Sequence, residues 1–325
     1  MRADCRNTAA RVLGVKVSEF RGNGRLIADA QVAAYRRFGY DVIRIFTDLY
    51  TLAEAMGAQV FYPDDETAYL EAPAIASVDE IVSLRPVDPH RDGNLPHHLE
   101  AMKRAFEAVG HEVIVNGALT GPFTTSSFLI GTEPLARLIL KNPAAAHALC
   151  ETAFQSTLAY AEAILDTGCT PSLTDAMCST TVISPKQFKE FGFPYLKRLV
   201  DFIHSRGRAV TLHICGKTQP IWEAMADTGA DCLSIDNAAD LQAAKEKVGH
   251  RVRLMGNVSP PEIMLQGTPE DVRAAVRACV RKAGDNPKGI VVASGCSLPV
   301  ETPFENIDAM LNAVREIGWP VDLPS

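Results

Sequence analysis

Short apolar runs recur from about residue 40 onward, separated by longer stretches whose apolar residues fall three and four apart. The short runs are DVIRIF (41–46), EVIVNGA (112–118), TPSLTDA (170–176), AVTLHIC (209–215), CLSID (232–236), RVRLMGN (251–257) and GIVVASG (289–295). Their length and β-branched content predict strands. PKQFKEFGFPYLKRLVDFIHSRG and PEDVRAAVRACVRKAG, which lie between them, have helical spacing. Strand and helix in alternation along one chain predict a parallel sheet wrapped by helices.

No glycine-rich phosphate fingerprint follows the first run, and no linker interrupts the spacing. The pattern therefore predicts an α/β fold: a single (β/α)₈ TIM barrel spanning residues 1–325, in preference to a doubly wound sheet. Residues 1–40 read as an N-terminal helical segment, and 59–100 as an insertion near the barrel mouth. No eighth apolar run is evident. Helix starts are marked by Ser184-Pro185-Lys186-Gln187, Ser259-Pro260-Pro261-Glu262 and Thr302-Pro303-Phe304-Glu305, each fitting a capping box with proline in the first turn. Thr268-Pro269-Glu270-Asp271 is a weaker version, and Gly168, Gly207, Gly229 and Gly284 fit left-handed helix stops.

Composition narrows the partners. A net charge of −7 without any basic run argues against a nucleic-acid ligand. No apolar stretch approaches the roughly 20 residues that span a bilayer. The first residues lack the apolar core of a signal peptide, so a cytoplasmic location is expected. Eight cysteines in 325 residues are too sparse for a disulfide scaffold, leaving thiols for packing, metal or chemistry.

Barrel chemistry gathers where strands end. The first run is followed by Thr47-Asp48, the third carries Asp175 and the fourth ends in His213 and Cys215. The fifth ends in Asp236, the sixth in Asn257, and the seventh runs into Gly295-Cys296. His213 and Cys215, two apart, project to one side of a strand. Cys296 follows about 80 residues later, so only folding unites it with them. Structural zinc usually draws on close cysteine pairs, absent here. Three ligands from separate strands with a fourth position exchangeable is the catalytic pattern. The plainer alternative is a buried strand end with satisfied polar atoms. Asp48 and Asp175 likewise have plain roles open to them, as a helix cap and a loop brace, and His97 and His98 read as solvated loop residues.

HICG, GCSLP, FTDLYTLAEAMG (46–57), GNLPHHLEAMKRAF (93–106), NGALTGPFTTSSFLIG (116–131) and MGNVSPPEIMLQGTPEDV (255–272) together carry a resemblance. From about residue 40 on, the chain resembles the methylcobalamin:coenzyme M methyltransferases, a branch of the uroporphyrinogen decarboxylase superfamily. The resemblance implies a (β/α)₈ barrel with Zn²⁺ held by His213, Cys215 and Cys296, and Asp236 taking the fourth place when substrate is absent. It implies transfer of a methyl group from methylcobalamin or a related corrinoid to a thiol such as coenzyme M, or to tetrahydrofolate. The chain lacks a D-x-H-x-x-G corrinoid loop, so the corrinoid is expected on a partner protein, with 121–131 as part of the docking rim. Asp48, Asp175 and Asp236 are the candidate catalytic carboxylates, and Asn116 and Asn257 the candidate cofactor-binding residues. Lys217 is a candidate partner for a sulfonate. The superfamily's decarboxylases carry an arginine-rich RQAGR-type segment that nothing here matches. Their catalytic aspartate corresponds to Asp48, expected here without electropositive surroundings. Metal-free decarboxylation of a tetrapyrrole, or a non-catalytic corrinoid-binding barrel, are the alternative functions.

Overall fold

The computed structural model describes residues 8–318 except 46–47 and 65–66, so Thr47 and Cys5 lie outside the described residues. All seven expected strands form: β1 (Val42–Ile45), β4 (Ile114–Thr120), β5 (Thr170–Thr174), β6 (Thr211–His213), β7 (Cys232–Ser234), β8 (Arg253–Val258) and β9 (Ile290–Ser294). They pair in parallel in the order β1-β4-β5-β6-β7-β8-β9, so each strand lies beside the one before it in this series. The curled parallel sheet with helices outside is a TIM-like (β/α)₈ barrel, of which seven strands occur among the described residues. Three helices (Thr8–Leu13, Val17–Arg21 and Gly24–Phe38) make up the N-terminal segment. The 59–100 region holds an antiparallel hairpin, β2 (Gln59–Phe61) with β3 (Tyr69–Ala72). It ends inside the helix Leu95–Val109, where His98 is buried rather than solvated.

Most local signals act as expected. Ser184 with Gln187 forms a capping box, and so does Thr268 with Asp271, the site expected to be weaker. Thr302 does not cap: its hydroxyl donates to the Pro299 carbonyl, and the helix begins after it at Phe304. Gly284 is right-handed at φ −61°, because the chain leaves that helix by continuing its last turn.

Alternation divides the strands into two faces. Ile43, Leu173, Leu212, Leu233, Leu254 and Val292 point outward into one large apolar cluster shared with the helices. Apolar packing inside the barrel is confined to a small cluster of Cys232, Met255 and Ala293, flanked by Val291. Bulky branched residues usually fill such interiors. Here Arg44, Ser172, Thr211 and Ser234 line a space of about 20 Å³ beneath the mouth. Thr211 and Met255 also line a larger cavity of about 610 Å³ that surrounds the strand starts at the opposite end. Asn116 lines that lower cavity, with its Oδ1 buried and without a hydrogen-bond partner.

The segment expected as a polar docking rim is instead a helix, Pro122–Ile130, with every residue buried. Its hydroxyls are satisfied internally. Thr125 donates to the Gly121 carbonyl (3.0 Å), Ser126 to that of Pro122 (2.8 Å) and Ser127 to that of Thr124 (2.7 Å). Asp175 accepts from the Thr124 amide (2.7 Å), the Thr124 hydroxyl (2.6 Å) and the Phe123 amide (3.4 Å), anchoring the helix N-terminus to the end of β5. Gly121 permits this contact, since a Cβ there would lie 2.3 Å from the Asp175 carboxyl carbon. Asp175 is therefore a brace, fully buried, and not a group facing the mouth.

Burial outweighs these donors and pushes the Asp175 carboxyl up to about 6 from its ordinary 3.8. Between those values the folded chain holds a proton that the unfolded chain has released. This group therefore stabilises the fold fully below about pH 4 and loses that contribution as pH rises to about 6. Asp175→Asn is expected to remove that slope. Urea denaturation across pH should show a difference from wild type on the order of 3 kcal/mol over the window.

Candidate metal centre

His213 closes β6 and Cys215 follows two residues on, pointing the same way. The His213 Nδ1 lies 3.2 Å from the Ser234 carbonyl and 3.1 Å from its hydroxyl, both on neighbouring β7. Nδ1–H donation to the carbonyl assigns the tautomer and leaves the Nε2 lone pair, 3.2 Å from Cys215 Sγ, available to a metal. Gly216, at φ 71°, then turns the chain away.

Asp236 stands two residues beyond β7, and its Oδ1 accepts from the Ala238 amide at 2.8 Å. The resulting turn is held from the next strand. Asn257 Nδ2 donates to the Asp236 carbonyl (3.0 Å) and to the Ala239 carbonyl (2.8 Å). Gly295 packs against the same turn, where a Cβ would come 2.5 Å from the Asn237 nitrogen. That close approach delivers Cys296. The ligand atoms of His213, Cys215, Asp236 and Cys296 all lie within 4.8 Å of one another. Asp236 is buried and the other three are half-buried.

Two thiols, an imidazole and a carboxylate suit a borderline-soft ion preferring four ligands. Bond lengths of 2.0–2.3 Å in a tetrahedron would separate the donor atoms by about 3.3–3.8 Å. The group is thus within a small contraction of coordinating geometry. Among the described residues it is the one cluster of this kind.

The remaining candidates fall elsewhere. Asp48 is 8% exposed, and its Oδ1 accepts from the Tyr50 amide (2.8 Å) and the Thr51 hydroxyl (3.4 Å) at the start of the helix Thr51–Ala55. It lines a separate small cavity with His98, Thr120 and Tyr160. One cation, the Arg21 guanidinium, lies near enough for its charge to be felt. Burial lowers the pKa of the nearby Arg21, and the charge of Asp48 is the main influence opposing it. Burial likewise pushes the His98 imidazole down, again with Asp48 opposing. Arg21 also lies 5.0 Å over the Tyr62 ring and donates to the Pro63 carbonyl. No arginine-rich motif announces this; Arg21 arrives from a helix 27 residues upstream only through folding. Asn257 serves the Asp236 turn, and Asn116 lines the cavity at the lower end of the barrel.

Arg44 and Ser294 belong to no motif of the sequence. Both line the space under His213 and Cys296, at 6% and 5% exposure. The signal for Arg44 was present, a charge within the apolar run DVIRIF; Ser294 in VVASG carried none.

Known proteins resemble this chain in sequence and in fold. The uroporphyrinogen decarboxylase (URO-D) family matches residues 2–317. A methylcobamide:CoM methyltransferase, MtaA, of Methanosarcina barkeri is 29% identical over 308 residues, covering 94% of this chain and 88% of that protein. A uroporphyrinogen decarboxylase of Pseudoalteromonas atlantica is 27% identical over 306 residues, covering 90% and 83%. The solved structure of a methyltransferase from Methanosarcina mazei superposes with a TM-score of 0.88 at 27% identity, covering 96% and 91%. The family match runs along nearly the whole chain and fits the parallel barrel with helices outside, so this protein belongs to the uroporphyrinogen decarboxylase (URO-D) family.

Proposed function

We propose that this protein is a zinc-dependent methyltransferase that moves a methyl group from a methylated corrinoid, borne by a partner protein over the barrel mouth, to a thiol acceptor. The convergence of His213, Cys215 and Cys296 with Asp236 carries the reading. Likeness to methyltransferases in sequence and in fold supports it.

Zinc at this site would hold the acceptor sulfur as a thiolate near neutral pH. The chain's residues set the conditions for that chemistry. Cys215 and Cys296, as thiolates, would balance the charge of a divalent ion held between them. His213 keeps its orientation through Ser234. Asp236 would supply a fourth, exchangeable donor, and the Ala238 amide holds its carboxylate within reach of the other three. Asn257 positions that turn. Asp48 and Asp175 act in this reading as structural anchors near the mouth.

Decarboxylation draws support from Asp48 beside Arg21 and from the decarboxylase relatives. It assigns no task to a two-thiol, one-imidazole cluster. No helix among the described residues is long and apolar enough to cross a membrane.

The purified protein is expected to hold one zinc per chain and to demethylate methylcobalamin when a thiol is supplied. Cys215→Ala and Cys296→Ala should each weaken metal affinity by roughly 100-fold or more and lower transfer in proportion. Metal analysis with methylcobalamin absorbance checks both, and full retention of zinc and rate in the two variants would sink the reading. Asn257→Ala is expected to weaken metal affinity about 10-fold while the chain stays folded by circular dichroism.

A further inference from the structure

The end of the barrel away from the metal donors is open where such interiors are usually filled by bulky branched residues. The cavity of about 610 Å³ among the strand starts is of a size that holds a small organic molecule. Strand alternation explains the room. Thr170, Ala209 and Cys232, which share the inward face of their strands with Ser172, Thr211 and Ser234, are all small. Val42, Ile114 and Val291 supply apolar wall from other strands. Ile114 stands two residues before Asn116 on β4 and is 58% exposed, an apolar side chain uncovered on the inside of a barrel. Thr211 and Met255 separate this cavity from the space under His213.

Charge in the cavity is one-sided. Two acids line it, and both are engaged. Glu112 pairs with Arg36 and with His111, while Asp231 meets the His204 ring at 2.9 Å and accepts from the Val210 amide at 2.7 Å. Two arginines line it as well, and neither joins a salt bridge among the described residues. Arg253 begins β8 on the same face as Met255, and Arg208 makes one long contact, 3.4 Å to the Gly168 carbonyl. Deeper in, Asn116 is 8% exposed, with its Oδ1 buried and unpartnered. Native structures rarely leave a buried amide oxygen unpaired, so Asn116 marks a place for a ligand's polar group. Rotation of the amide presents either a donor or an acceptor to it.

We propose that the lower barrel is a second ligand site, and that it takes a small organic anion with an apolar body. The acidic group pairs with Arg253 and Arg208, whose planar forks match the oxygens of a carboxylate, sulfonate or phosphate. Their strands, β6 and β8, lie two spacings or about 10 Å apart, a gap that two long side chains close. Asp231, on the strand between, is turned to His204. The apolar body covers Ile114, Val42 and Val291, and a polar edge reaches Asn116. The metal donors lie at the other end, so this site stands independently of the methyl-transfer reading.

The test uses the full chain and two fluorescent probes with one body. 8-Anilinonaphthalene-1-sulfonate has an acidic group, an apolar body and an N–H; N-phenyl-1-naphthylamine lacks only the sulfonate. Wild type is expected to bind one sulfonate probe per chain, at least about tenfold more tightly than the neutral one. Arg253→Met and Arg208→Met should each reduce that preference and together abolish it, and both positions are exposed, so these variants should fold. Asn116→Leu should weaken both probes by a few-fold. Ala209→Trp, which fills the cavity, should abolish binding of both. Equal affinity of the two probes for wild type overturns the proposal. So does an undiminished preference in the double arginine variant, or undiminished binding in a folded Ala209→Trp.

Discussion

Parallel register in a barrel makes every second residue of each strand face the axis, and in this chain that inward set is largely polar. Leu173, Leu212 and Leu233 look outward to the helices, while Ser172, Thr211 and His213 look inward. The arrangement places the hydrophobic driving force almost wholly in the layer between sheet and helices. The barrel interior is thereby free to hold donors and an arginine that a filled core would expel. Everything proposed for the site depends on that separation.

Precision at the mouth comes from one turn. Residues 236–239 are closed by the Asp236 side chain on the Ala238 amide, tied to β8 through Asn257 and packed against β9 at Gly295. Three successive strands thus set the relative positions of Asp236 and Cys296, while His213 is held from β7 by Ser234. His213, Asp236 and Cys296 are each set by a strand other than their own. A constellation of this kind resists local distortion, because moving one donor requires the neighbouring strand to move as well.

Two carboxylates with similar sequence settings have diverged in role. Asp175 and Asp236 both follow strand ends, yet Asp175 is consumed by the N-terminus of a buried helix and Asp236 stands among the thiols. The difference lies in what packs beside them. The helix Pro122–Ile130 offers Asp175 two amides and a hydroxyl at close range. Asp48 shows the same principle, acquiring Arg21 and His98 as neighbours from elements that lie far from it in the chain.

Periodicity determined the strand positions, the helical N-terminal segment and most helix starts, because these depend on local spacing and on capping groups two or three residues away. The H-x-C pair was legible for the same reason: alternation alone aims both side chains to one side. Cys296 and Asp236 were legible as strand-end residues, but their convergence needed the order in which the strands pair. Only the tertiary structure decided that the hydroxyl-rich segment 122–130 is a buried helix, since three of its hydroxyls bond to carbonyls one turn back, the fourth bonds to Asp175, and no polar surface is left to display. The same holds for Arg44 and Ser294. Whether a charge or hydroxyl within a strand meets solvent, a partner or a cavity depends on the volume of side chains from other strands, which no single stretch of sequence encodes.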